Sequence, residues 1–144
     1  MKGNEKPYEL RVQTNIGEEL FESYCKEKGY AINRIGFDEG ANYVENFSKL
    51  NPLLRNLPDY IVNTESETFV VCVKGTANFK KKEYELLPLM MEWFSSPKAP
   101  LVYAFCFQNV KPRLVFPEKI IELYKFSKDQ KWSDGVVYRN LKIL

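Results

Sequence analysis

From Leu101 to Phe107 every position is apolar, reading Leu-Val-Tyr-Ala-Phe-Cys-Phe. A run of that length with no polar face predicts a central strand covered on both sides. Thr68–Lys74 is β-branched and aromatic, with Thr64-Glu65-Ser66-Glu67 as a turn before it and Gly75 after it. It predicts another strand. Pro58–Val62 and Tyr30–Phe37 read as two more. Helical spacing governs other stretches. Thr14 and Asn15 offer an N-cap to a helix reaching about Lys28, with Ile16, Leu20 and Tyr24 on one face and Gly29 as the stop. Glu18 and Glu19 suit its positive end. A second helix is expected from near Lys80 to about Phe94, with Leu86, Met90, Trp93 and Phe94 on its buried side and Pro88 as a possible kink. Arg113–Phe116 reads as a hairpin partner or edge strand, Pro117 opens a helix to about Phe126, and Val136–Ile143 reads as a last strand. Asp38–Asn56, with Gly40, Asn42, Asn51 and Pro52, reads as an insertion with some helix.

A helix between two strands implies parallel pairing through a right-handed crossover, whereas the strands before it form an antiparallel meander. The expected fold class is therefore α/β, with an αβββαβ core. A mixed central sheet carries helices on its faces, and a strand-helix-strand appendage follows. One domain is expected over 1–144, with its core at about 14–107 and the appendage at 108–144.

Composition narrows the chemistry. The chain has no histidine among its 144 residues, which excludes Ser-His-Asp and Cys-His catalysis and histidine-bound zinc. It has no glycine-rich phosphate loop, so no nucleotide cofactor is expected. Metal chemistry would have to use carboxylates, backbone carbonyls and water, the ligands of Mg²⁺ or Mn²⁺. Cys25, Cys72 and Cys106 form neither a CxxC pair nor a disulfide framework, which suggests a reducing compartment. With no signal-like start and no apolar run of membrane-spanning length, a cytoplasmic location off the membrane is expected. The net charge of +2 neither demands nor excludes a nucleic-acid partner, so any such signal is local. The run Lys80-Lys81-Lys82 is the candidate nucleic-acid contact, although such a run taken alone is more often a solvated helix start.

In a meander the start of one strand lies beside the end of the next. Asp59 and Lys74 can therefore be neighbours. Cys72 and Lys74 share one face of their strand, while Val71 and Val73 point to the other. At these residues the chain resembles the PD-(D/E)XK nuclease superfamily, which has a restriction-endonuclease-like fold. Pro58-Asp59 matches the first half of the motif and Cys72-Val73-Lys74 the second. Gly17-Glu18, Phe21, Tyr24-Cys25 and Gly29-Tyr30 are similar to the opening of Holliday-junction-resolvase-like members.

The resemblance implies metal-dependent hydrolysis of DNA phosphodiester bonds by a junction-resolving or repair-type endonuclease. Two copies acting as a homodimer would handle two strands. By the same resemblance Asp59 and the Val73 carbonyl would bind Mg²⁺ or Mn²⁺, Glu18 would hold a metal-bound water, and Lys74 would orient the attacking water or stabilise phosphate charge. Cys72 departs from the acidic residue expected there, and a thiol is a poor magnesium ligand. Either the acid has moved onto the following helix, where Glu83 is the candidate and Glu85 a weaker one, or the domain binds nucleic acid or assembles without cutting it. The second case would suit a subunit of a phage or mobile-element assembly. Each residue also has an ordinary explanation: a helix-end glutamate for Glu18, a turn cap for Asp59, a strand-end gatekeeper for Lys74 and a first-turn glutamate for Glu83.

Overall fold

Val70 and Cys72 are buried on one side of their strand, and Val71 and Val73 on the other. That strand belongs to a sheet with helices on both faces, in the computed structural model that describes residues 8–35 and 57–143, the side chains of 8–15 excepted. The expected insertion at Asp38–Asn56 lies outside the described residues. The elements run α1 (Tyr8–Lys28), β1 (Ala31–Arg34), β2 (Tyr60–Asn63), β3 (Thr68–Lys74), β4 (Asn78–Lys80), α2 (Lys81–Trp93), β5 (Leu101–Phe105), β6 (Arg113–Val115), α3 (Pro117–Lys125), β7 (Asp129–Lys131) and β8 (Val137–Asn140).

The main sheet has the order β1-β2-β3-β5-β6. Strands β1, β2 and β3 form the antiparallel meander, and β5 pairs with β3 in parallel, Cys72 opposite Tyr103. The αβββαβ order and the mixed sheet expected from the sequence are those observed. β6 pairs antiparallel with β5 at the end of the sheet, so the expected Arg113–Phe116 segment is both its hairpin partner and an edge strand.

Several local expectations are corrected. α1 begins at Tyr8, so Thr14 and Asn15 lie inside the helix and not at its start. Glu9, Leu10, Arg11 and Gln13 are good helix formers with no proline among them, and the helix runs through. Glu18 therefore sits mid-helix, away from the positive end that the sequence assigned it. The buried stripe of α1 is Gly17, Phe21 and Cys25, with Leu20 and Tyr24 only partly covered. Gly29 does end the helix: its φ of 75° lets Tyr30 N–H reach Cys25 O and its own N–H reach Lys26 O. In α2, Leu87 and Met90 are buried and Trp93 is 61% exposed, so Trp93 is no core residue.

β4 and β7 were not foreseen. Asn-Phe-Lys and Asp-Gln-Lys carry no alternation to read, and both take their strand form from β8, which lies between them in a second, three-stranded sheet. β8 stops at Asn140, short of the expected Ile143. Leu141 N–H turns instead to Ala77 O, and Lys142 has φ 56°. Leu141 and Ile143 then join the core cluster that holds Val70, Cys72 and Phe105.

Gly17 fixes how α1 meets the sheet. A Cβ there would lie 2.8 Å from Gly75 Cα and 3.1 Å from Gly75 N, just past the end of β3. Backbone meets backbone, so neither side can yield by rotating a side chain. Gly17→Ala is expected to lower stability by about 1–3 kcal/mol, the usual cost of overpacking. Urea unfolding measures it, and a loss within error of zero would mean that α1 and the Gly75 turn are not held this close.

Candidate functional site

Strand β3 runs past the start of β2, and its last peptide groups need other partners. Lys74 O accepts from Cys106 N–H at 2.8 Å, on the β5 side. Alternation turns the Val73 peptide groups to the β2 side. There Val73 N–H donates to Asp59 Oδ2 at 2.7 Å. The Asp59 backbone is pinned in both directions: its N–H reaches Val71 O and its carbonyl receives Ile35 N–H, each at 2.9 Å. Pro58, fully buried, fixes the approach to it.

Lys74 leaves β3 on the face of Cys72, toward α2. Its ammonium spans both oxygens of Glu83, at 2.9 and 3.0 Å, and lies 5.3 Å from the centre of the Phe79 ring. Glu83 stands in the first turn of α2 and also accepts Lys80 N–H at 3.2 Å, so the same carboxylate caps the helix. Burial alone would push its pKa up. The adjacent Lys74 charge and the hydrogen bonds from Lys74 and Lys80 outweigh burial and hold it below its ordinary value.

Asp59 goes the other way. Desolvation pushes its carboxyl up to about 7, against the pull of the Val73 hydrogen bond, and the Glu18 charge adds to the rise. Arg34 and Lys74 offset this only in part. Cys72, between the two carboxylates, is buried to the point that its thiol is held well above the ordinary range, with Asp59 and Glu83 raising it further. At neutral pH it is a thiol and offers no hard ligand.

Asp59, Cys72, Val73, Lys74 and Glu83 line one pocket of about 160 Å³, walled by Leu57, Leu86, Met90 and Tyr103. Glu85 is exposed and outside that lining. Glu18 is not part of the lining either. It stands on α1, across the sheet, and pairs with Arg34 of β1 at 2.9 Å. Arg34 also donates to Tyr60 Oη at 2.8 Å and lies 3.8 Å from Glu22, which in turn accepts the Tyr60 hydroxyl. Sequence reasoning missed Glu22 and Arg34. The i, i+4 spacing of Glu18 and Glu22 was a readable signal for one acidic helix face. Lys81 and Lys82 are exposed in the first turn of α2, and Lys80 ends β4, half-buried.

The donor set at the Asp59 end suits a hard cation. A desolvated carboxylate without a direct cationic partner among the described residues lies beside a peptide group whose carbonyl faces the same side. Glu83 as it stands is committed to Lys74. Among the described residues no three His, Cys, Asp or Glu side chains gather as a ready metal cage.

No family profile and no curated protein matches the chain. Among solved structures the chain is similar to Archaeoglobus fulgidus Hjc, a Holliday junction resolvase from an archaeal hyperthermophile. The two are 12% identical, with 86% of this chain and 85% of that one covered, at a TM-score of 0.48.

The raised Asp59 carboxyl sets a pH dependence. Its folded-state value of about 7 exceeds the ordinary 3.8, so between these the folded chain keeps a proton that the unfolded chain releases. Stability therefore falls as pH rises through this window, and the loss is complete above about 7. Asn at this position still accepts from Val73 N–H and cannot ionise. Asp59→Asn is expected to match the wild type below the ordinary carboxyl value and to exceed it by roughly 1–3 kcal/mol near pH 8. Urea unfolding at both pH values is the measurement. Equal stability of the two proteins near pH 8 would rule out the desolvated carboxylate.

Proposed function

We propose that the chain is a divalent-metal-dependent DNA endonuclease whose reaction centre is the Asp59–Lys74–Glu83 pocket. The observation that carries this reading is one pocket holding a carboxylate raised to about 7, a backbone carbonyl beside it and a lysine ammonium. Hydrolysis of a phosphodiester needs such groups in a fixed geometry: oxygen ligands for a hard cation and a cation for the developing phosphate charge. Asp59 and the Val73 carbonyl would hold Mg²⁺ or Mn²⁺, which when bound supplies a Lewis acid for the phosphoryl oxygen and lowers the pKa of its water.

Lys74 would turn from Glu83 to the scissile phosphate, and Glu83, so released, would become the second carboxylate in place of Cys72. Glu18 would act through water, held in position by Arg34. Lys81 and Lys82 support a phosphate-binding role, because lysines in a first helical turn oppose the helix dipole and gain nothing from it. Together with Lys80 they would receive the DNA backbone at the rim of the pocket. The substrate class proposed is DNA, branched or linear, and two copies related by a twofold axis would place two cuts on opposite strands. Mg²⁺-supported cleavage is expected to vanish with chelator and to fall roughly a hundred-fold or more in Asp59→Ala and in Lys74→Ala. A wild type that cuts no DNA with either metal would overturn the nuclease reading.

A second reading rests on a specific observation: both Glu83 oxygens are already satisfied by Lys74, and the neighbouring acidic position is a neutral thiol. Such a site would bind nucleic acid or a partner chain without cutting. Calorimetric titration with Mn²⁺ separates the two readings. If Glu83 serves as the second carboxylate, Glu83→Gln weakens Mn²⁺ binding about ten-fold or more, and Cys72→Ala leaves it nearly unchanged. Unchanged affinity in Glu83→Gln removes Glu83 from the metal site. A gain of Mn²⁺ affinity in Cys72→Glu alone would mark a centre that lacks only its strand acid.

A further inference from the structure

The most exposed large apolar side chain described is Phe126, at 86%, just after the last residue of α3. An exposed ring on a loose tail would mean little, but this turn is pinned from several directions. Phe126 N–H and Ser127 N–H both reach Tyr124 O, the latter at 3.1 Å. Ser127 Oγ donates to Leu123 O at 2.7 Å, and Arg139 of β8 donates to Tyr124 O at 2.7 Å. The Arg139 guanidinium also lies over the Tyr124 ring at 4.4 Å and pairs with Asp129 at 2.6 Å. A well-fixed turn therefore holds a phenyl ring out in water, where it contributes nothing to the core.

The surroundings are basic. Lys125, Lys128 and Lys131, which flank Phe126 along the chain, are all exposed. Alternation along β7 puts Lys131 on the face that carries Asp129, and this face is turned toward the end of α3. Of the acids near this turn, Asp129 is engaged by Arg139 and Glu122 by Lys119, while the Glu85 charge reaches Tyr124 from α2. Among the described residues no acidic side chain pairs with these three lysines. The turn is also tied to the reaction pocket: Lys74 lies over Phe79, and the Phe79 ring meets Tyr124 edge-on at 6.4 Å.

We infer that the α3–β7 turn is a single-strand contact, with Phe126 stacking on an unpaired DNA base and Lys125, Lys128 and Lys131 holding the adjoining phosphates. Each base has a flat face that accepts an aromatic ring, and each linkage carries the charge the lysines lack. This deepens the nuclease reading and rests on it, because it names as substrate DNA with unpaired bases, as at splayed forks and flaps, in preference to plain duplex.

Fluorescence anisotropy with labelled single-stranded, forked and duplex oligonucleotides, in chelator so that nothing is cut, tests the inference on the full chain. Phe126→Ala is expected to lower affinity for single-stranded and forked DNA about ten-fold, the effect of removing one base–aromatic stack, and to leave duplex affinity within about two-fold. Phe126→Trp is expected to keep the wild-type affinity. Lys128→Ala with Lys131→Ala is expected to flatten the salt dependence of single-strand binding by about 0.7 in logarithmic slope for each phosphate no longer neutralised. Forked-DNA binding by Phe126→Ala equal to wild type overturns the inference. So does a wild type that binds no DNA, or a Phe126→Ala whose defect is a changed oligomeric state in sedimentation or a failure to bind anionic vesicles. Metal-dependent cleavage is scored separately. A chain that cuts DNA while Phe126→Ala binds forks normally overturns the stacking role alone, and one that needs Phe126 for forks but cuts nothing overturns the nuclease reading alone.

Discussion

The peptide group of Val73 needs a hydrogen-bond partner at a point where the neighbouring strand has ended, and Asp59 supplies it. That bond depends on β3 being buried on both faces, because water is not there to take the place of β2. It brings a carboxylate into a partly dry recess at the edge of the sheet, and the electrostatics of the pocket follow from this. Desolvation, offset among the described residues by one N–H, raises the carboxyl to about 7.

The two carboxylates of the pocket have opposite environments. Glu83 has an ammonium across both its oxygens and a helix N-terminus behind it, and its pKa is held down. Asp59 has one backbone donor, the repulsion of Glu18 and only partial relief from Arg34 and Lys74. Two carboxylates lining one small pocket are in this way pushed apart in proton affinity. The Arg34 cluster on the far side of the sheet has a different role: it ties α1 to β1 and β2, so that the Glu18 charge is held where Asp59 can feel it.

The second sheet links the C-terminal segment to this centre. Strand β4 lies in the crossover between β3 and α2, and β8 pairs with it, bringing Arg139 opposite Phe79. Phe79 is fully buried, under the Lys74 ammonium on one side and against Tyr103 and Tyr124 on others. The C-terminal segment from α3 to β8 thereby braces the ring on which Lys74 rests, and it carries the pinned turn that ends in Phe126.

The local pattern of the chain determined the strands of the main sheet and their pairing sense. Leu101–Phe107 had to lie inside a sheet, Thr68–Lys74 had to alternate, and a helix between them imposed parallel pairing. The antiparallel meander before that helix brought Asp59 near Lys74, because both lie at the shared end of neighbouring strands. The start of α1, the exposure of Trp93, the β4–β8 pairing and the clasp of Lys74 by Glu83 were not legible. Each depends on how segments meet after the chain has folded back on itself: Asn78 meets Asn140 across 62 positions, and Glu18 meets Arg34 through a helix and a strand. Periodicity records which face of a segment avoids water. Which distant side chain then satisfies a buried charge is settled only when the segments pack, because the cost of leaving that charge alone arises only once water has gone.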